Sequence, residues 1–393
     1  MQVPSNEGNH SGYRWIVLFV SLYAFMAYAF SLQTASPLLK PFTEEFTISY
    51  AEAGLVISIV LIPGILLGLP AGWIVGRYGI RRVGFISLAT VSVGSLVTAT
   101  ANSFSMLLIG RLVLGIGGTF IIIATPAIIA QWFEQKELGR AMGIFAINMP
   151  LATVIALPTA KALSVSYGWR FPFVIGLALG LTAIVIFTAL IKEGPLARKE
   201  RMVGVRKAIG NFEIWKVGLV WLFFNAAALS FTIWGTTLFE NFQGIPKDSV
   251  QGSVMASLLM LTAIFFVPVF GYLSDRTGKR RLFAIIGSLV MALTFFAMAF
   301  TSGWALVLSL LVLGVAAATV PPVASALPVE ILGPALAGVG FGVTGICLNL
   351  GAAMSQPLVG FVIDLTQTYA PSLITMAVLS MIGAIVAFRL KTK

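Results

Sequence analysis

Gly271-Tyr272-Leu273-Ser274-Asp275-Arg276-Thr277-Gly278-Lys279-Arg280-Arg281 closes one long apolar run and opens the next. The two runs leave no room for a folded loop, so the segment reads as a tight cationic hairpin at a membrane face. Gly72, Arg77, Gly79, Arg81 and Arg82 stand 199 positions before Gly271, Arg276, Gly278, Arg280 and Arg281. The same offset relates Leu112-Val113-Leu114-Gly115 to Leu311-Val312-Leu313-Gly314, Gly139 and Gly143 to Gly338 and Gly342, and Pro158 to Pro357. The chain is therefore read as two copies of one unit.

With 393 residues, 58% hydrophobic and 10% charged, and a mean hydropathy of +0.98, the sequence is too apolar for a soluble protein. Its apolar runs are long rather than short and alternating. That makes the spans helices, since backbone polar groups in lipid must be satisfied within the segment. The expected fold is an all-α integral membrane protein with spans at 14–36, 51–75, 83–101, 104–130, 141–163, 171–191, 214–238, 250–273, 282–300, 304–327, 335–363 and 371–388. The first run, behind a polar stretch, reads as a signal anchor rather than a cleaved signal.

An even number of spans leaves both chain ends on one face. The net charge of +11 divides accordingly: 20 cations fall in the tails and connections of that face, against Lys40, Lys161, Arg170 and Lys247 on the other. The positive-inside rule places the richer face in the cytoplasm of a cell membrane. Without an aromatic-interleaved basic patch, topology explains the charge and no nucleic-acid partner is expected. The only long charged connection falls between the sixth and seventh spans. The expected organisation is a tail at 1–13, a six-helix bundle at 14–191, a linker at 192–213, a second bundle at 214–388 and a tail at 389–393. Because each half has an even number of helices, the repeats are parallel, related by an axis along the membrane normal.

One cysteine, Cys347, excludes an intrachain disulfide or cysteine metal cluster, and the one histidine, His10, lies in the polar tail. With no phosphate-binding loop and no nucleophile–base or metal constellation, neither an enzyme nor a primary pump is indicated, and no cofactor or metal is expected.

The pattern Gly271-x-x-x-Asp275-Arg276-x-Gly278-x-Arg280-Arg281 resembles a signature of the major facilitator superfamily, and Arg111-x-x-x-Gly115-x-Gly117-Gly118 is similar to a second. The resemblance covers essentially the whole chain and implies secondary active or facilitative transport of a small solute by a monomer, as a symporter with a coupling proton or ion or as a uniporter without one; no carboxylate occupies the middle of a span to carry a proton. Gly76 stands where the family has an aspartate in the first hairpin. Asn148-Met149-Pro150-Leu151-Ala152-Thr153 lacks the Gly-Pro-x-x-Gly-Gly pattern of drug/proton antiporters. Pro63-Gly64-Ile65-Leu66-Leu67-Gly68-Leu69-Pro70 and Phe266-Val267-Pro268 resemble nitrate/nitrite porters, but Gly68 and Val267 replace the arginines that grip the anion there. Another small anion, such as a cyanate-like ion or an organic acid, or a polar metabolite remains. An efflux antiporter and a sensor or scaffold on a carrier fold are the alternatives.

In this family the first, fourth, seventh and tenth helices line the path. The resemblance thereby implies Tyr23, Tyr28, Arg111, Thr119, Asn225, Trp234, Thr319 and Ser325 as pathway residues, with Asn148, Asn349 and Gln356 from the fifth and eleventh; for each taken singly, a hydrogen bond between helices is the more common role of such a side chain. Arg111 is expected to be the pocket's one fixed charge or, as the alternative, a structural hydrogen-bond hub, since an arginine at that depth costs a few kcal/mol unless it faces protein or water. Lys161 is expected to snorkel to the outer interface, and Glu52, Glu240 and Asp364 to be solvated ends of spans. The family's hairpin latch implies Asp275 facing the start of the fifth helix at Gly139-Arg140, supported by Gly271, Arg276 and Arg280. The first hairpin, with Gly72, Gly76 and Arg77, offers no charge to the eleventh helix near Ala335.

Overall fold

A computed structural model describes residues 7–194, 209–247, 249–333 and 336–390. Residues 195–208 of the expected linker, the extreme tails and Ala335 lie outside the described residues. Among the described residues, twelve helical segments have the length and composition to cross a membrane: α1 (Gly12–Phe46), α2 (Tyr50–Tyr78), α3 (Ile80–Ala99), α4 (Phe104–Trp132), α5 (Glu137–Tyr167), α6 (Phe171–Leu190), α7 (Phe212–Asn241), α8 (Gln251–Thr277), α9 (Arg280–Met298), α10 (Gly303–Leu332), α11 (Gly338–Thr366) and α12 (Ala370–Phe388). Most ends fall within a few residues of the expected ones. The largest difference is α1, which runs to Phe46 rather than Ser36. Pro37 has no N–H for the carbonyl of Gln33, so the α-helix stops at Gln33 and resumes at Leu39 after a 3₁₀ turn over Ser36–Leu38.

The two halves, α1–α6 and α7–α12, repeat each other in helix order and at several glycines. Gly79 and Gly278, equivalent in the repeat, end α2 and α8 with positive φ, 84° and 65°, which favours glycine; only Gly278 takes the left-handed helical cap, while Gly79 is extended in ψ. Gly115 and Gly314 are equivalent contacts as well. A Cβ on Gly115 would lie 2.2 Å from the Val60 carbonyl oxygen of α2, and one on Gly314 would lie 2.6 Å from Cβ of Thr262 in α8. Small residues at these points let helices approach closely in a setting where packing, not water exclusion, drives association.

Both arginine-rich hairpins, after α2 and after α8, lie on one face. The start of α1 and the end of α12 join it: Arg81 donates to the Thr188 carbonyl near the end of α6, where Tyr13 donates its hydroxyl to the Leu190 carbonyl, and Arg281 donates to the Phe388 carbonyl. We call this the hairpin face and its opposite the far face.

Three further spans are interrupted. α2 breaks between Ser58 and Ile62, α5 between Phe145 and Asn148, and α10 between Ala317 and Val320. A broken helix exposes carbonyls that lipid cannot satisfy, so each interruption demands a partner inside the protein.

Candidate functional site

A cavity of about 1770 Å³ opens on the hairpin face and is walled by α2, α4 and α11. Its mouth carries Arg77, Arg81, Arg82 and Lys192 together with Glu134 and Glu193, and its inner end is formed by Tyr28, Val60, Gly64, Thr119 and Asn349. Glycines hold the walls back, since Cβ atoms built on Gly68, Gly72 and Gly76 of α2 would meet nothing within 4 Å.

Three of the expected pathway residues thus gather at the inner end. Tyr28 lies in α1 against Gly118, where a Cβ would come within 2.0 Å of the tyrosine ring. Thr119 donates to the Gly115 carbonyl at 2.9 Å, leaving its oxygen able to accept. Asn349 spends Nδ2 on the Gly345 carbonyl at 3.0 Å and packs beside Gly64. The inner end is therefore uncharged, with one aromatic wall and a few polar atoms, typical of a site for a small solute.

Arg111 corrects the expectation that it supplies the pocket's fixed charge. It is 0% exposed and is absent from the cavity wall. Its guanidinium donates from Nη1 to the Ser31 carbonyl at 2.8 Å, from Nη2 to Leu32 at 2.9 Å and from Nε to Val56 at 3.2 Å. Ser31 and Leu32 are in the last turn before the break in α1, and Val56 precedes the break in α2. The arginine fork therefore caps the carbonyls that two helix interruptions expose. The rest of its motif is packing: Gly115 admits the Val60 carbonyl and Gly118 admits Tyr28.

Other candidates sit on the right helices but face elsewhere. Tyr23 bonds Thr182 of α6 at 2.6 Å, within the first half. Asn225 Nδ2 turns back to the Trp221 carbonyl at 2.7 Å. Thr319, at the break of α10, bonds the Ala316 carbonyl at 2.8 Å and packs on Gly287 of α9. Asn148 is buried at the break of α5, while Trp234 and Gln356 are 0% exposed, with the Trp234 ring 6.1 Å from Tyr50.

The expected latch is parted. Asp275 pairs with Arg280 of its own hairpin at 2.7 Å, and Arg280 Nε reaches Glu330 at the end of α10 at 2.5 Å. Arg140 stacks over Trp15 at 5.5 Å, within the first half. Among the described residues no hydrogen bond or ion pair joins Asp275 to Arg140. Gly271 packs on Pro322, and Arg77 stacks on Trp73 at 5.1 Å. Arg276 is exposed beside them.

The far face is shut, by contacts the sequence did not announce. Asp364 of α11 accepts from the backbone N–H groups of Tyr50 at 2.9 Å and Ala51 at 2.8 Å, the first residues of α2. A carboxylate at a helix N-terminus meets unpaired donors and the positive end of the helix dipole together. Ser36 donates to the carbonyls of Thr232 and Ile233, Ser58 to that of Ala353, and Asn241 to the Tyr50 hydroxyl. Lys161 of α5 and Glu240 of α7 form an ion pair at 2.7 Å with side chains 6% and 2% exposed. Neither the snorkelling lysine nor the solvated glutamate of the sequence reading is present. Among the described residues, the hydrogen bonds and ion pairs between the halves all belong to this side.

A family model described as Major Facilitator Superfamily matches residues 18–248 and 246–393. The chain belongs to the major facilitator superfamily. It is 24% identical over 279 residues to a probable nitrate/nitrite antiporter of Thermus thermophilus, a match covering 68% of this chain and 62% of that protein. It is 26% identical over 400 residues to a probable sulfoacetate transporter of Cupriavidus necator, covering 93% of this chain and 90% of that one. The chain thus spans under two thirds of the Thermus relative's length. Among solved structures, a bacterial homologue of the human lysosomal transporter Spinster in an inward-facing, occupied conformation superposes with a TM-score of 0.83 at 16% identity over 96% of both chains. This superfamily likeness fixes the fold, and the multi-pass membrane placement follows from the twelve spans.

Proposed function

We propose that the chain is a secondary transporter that moves a small solute, a small organic or inorganic anion or a polar metabolite, across a cell membrane by alternating access. The observation that carries this reading is the asymmetry of the interface. Polar bonds tie the halves together on the far face, while a large cavity with an uncharged, aromatic inner end is open on the hairpin face. Such an arrangement is one end of a rocking motion about a central site. The hairpin face is cytoplasmic, supported by the cation excess, and the conformation is then inward-open. Solute is held at the inner end by Tyr28, Thr119 and Asn349. The anionic substrates in the names of the Thermus and Cupriavidus relatives support an anion as the cargo, and the arginines at the mouth would raise its local concentration.

Uptake into proteoliposomes of isotope-labelled nitrate, sulfoacetate and a hexuronate, with Gly68→Trp as a blocked control, tests the reading. One of the three is expected to accumulate or exchange in the unmodified protein and to be lost in Gly68→Trp, because the indole would enter the open cavity. Equal flux in protein-free liposomes, or flux undiminished by Gly68→Trp, would overturn it.

A further inference from the structure

Lys161 and Glu240 form the ion pair that is most deeply buried among the described residues, and it crosses between the halves. Two more lysines surround it. Lys40, whose Nζ lies 3.4 Å from Asn241 Oδ1, and Lys247 are both within electrostatic reach of the Glu240 carboxylate. Glu44 lies 3.7 Å from Lys40, and the pair Arg170–Glu45, at 3.0 Å, lies elsewhere on the far face. Three of the far face's four cations thus converge on one glutamate.

The pair cannot survive opening of that face, because Lys161 travels with the first half and Glu240 with the second. Lys161 lies six residues before the end of α5 at Tyr167, roughly 9 Å from it at 1.5 Å per residue. Its neighbours on the same helix, Ala156, Leu157 and Ala160, are apolar and buried. An ammonium stripped of its counter-ion there must be met by water entering through the open face or by another anion.

We propose that Lys161 is an anion-binding residue of the far-open state and that Glu240 is its built-in competitor: a small carboxylate or oxyanion entering from the far face takes the glutamate's place. This rests on the carrier reading above and adds the point of entry. Anion binding and gate opening are then one exchange, since the solute supplies the charge that closure supplies internally. By linkage, an anion that binds only the far-open form shifts the population toward it.

The test uses full-length protein in nanodiscs, with Cys347→Ala and the reporter Ser36→Cys, whose side chain is buried between the halves. Alkylation of this cysteine by a membrane-impermeant maleimide reads far-face opening. The probes are acetate and nitrate, with chloride at equal ionic strength controlling for screening. Glu240→Gln is expected to raise labelling several-fold and to lower the acetate or nitrate concentration for half-maximal response about tenfold. Adding Lys161→Ala should keep labelling high and remove the anion response, while Lys161→Arg alone should retain a response. If the Glu240→Gln/Lys161→Ala protein responds at the same anion concentration as Glu240→Gln, or if chloride reproduces the effect, the proposal is overturned. Unchanged labelling in Glu240→Gln would overturn it too. A Lys161-dependent response in a protein that moves no solute across proteoliposomes would instead uphold the site and remove the carrier reading.

Discussion

Asp364→Asn isolates the far-face closure at a single atom pair. The aspartate spans two backbone donors, the N–H groups of Tyr50 and Ala51, at 2.9 and 2.8 Å. Asparagine keeps the shape but offers one neutral oxygen and turns an NH₂ toward the second donor. A hydrogen bond to a charged group contributes about 1.5 to 3 kcal/mol net, and a charge at a helix end about 0.3 to 1 kcal/mol. One charge-assisted bond and the helix-end attraction are lost, so the far-closed state should weaken by about 2 to 4 kcal/mol, roughly a 30- to 900-fold change in the equilibrium between conformations. Impermeant-maleimide labelling of Ser36→Cys in the Cys347→Ala background should accelerate by a factor in that range at maleimide concentrations low enough that alkylation, not opening, is rate-limiting. Asp364→Glu, which keeps the charge, should lie between. A rate within twofold of the parent for Asp364→Asn would refute the view that this carboxylate holds the two halves together.

Arg111→Ala should abolish folded protein rather than merely weaken solute binding. It leaves three buried carbonyls without donors, each costing about 1 to 3 kcal/mol, and fluorescence-detected size exclusion would show the loss of the monodisperse peak. Arg111→Lys keeps one donor group and should recover part of it; a stable, monodisperse Arg111→Ala protein would contradict the capping role. Gly115→Ala should lower the melting temperature by several degrees, because the added methyl would stand 2.2 Å from the Val60 carbonyl oxygen and the backbone must shift. An unchanged thermal melt would show that α2 and α4 have slack there.

The spans were legible because apolar runs of membrane length admit one answer, and the repeat was legible because glycine and arginine positions coincide at one offset. The helices of the candidate site were readable, but their faces were not. Tyr23 and Thr319 belong to the implied helices, yet the rotation of each helix against its neighbours turns Tyr23 to α6 and Thr319 to α9. The depth of Arg111 was visible; its partners were not, because they are backbone carbonyls freed by breaks, and a carbonyl has no letter in a sequence. Each break is followed closely by a proline, Pro37, Pro63, Pro150 or Pro321-Pro322, but Pro126, Pro268 and Pro357 sit inside unbroken helices, so a proline alone did not mark a break. Asp364 and Glu240 looked like ends of spans because their partners lie in the opposite half, over 300 residues away for Asp364 and Tyr50. The Ser49 to Glu52 capping box, seen in full, does mark the start of α2 in the sequence, though nothing near it points to α11.

Ser58 donates to the Ala353 carbonyl at 2.6 Å across the interface of α2 and α11, so Ser58→Cys/Ala353→Cys in the Cys347→Ala background is the pair to oxidise for locking the far face, with loss of both free thiols as the check that the bond has formed. Solute exchange across proteoliposomes, measured before oxidation, after it and after reduction, tests alternating access most directly. The account predicts that oxidation stops exchange while binding from the hairpin face persists, and that reduction restores exchange. Exchange continuing at its original rate through the locked protein would contradict it.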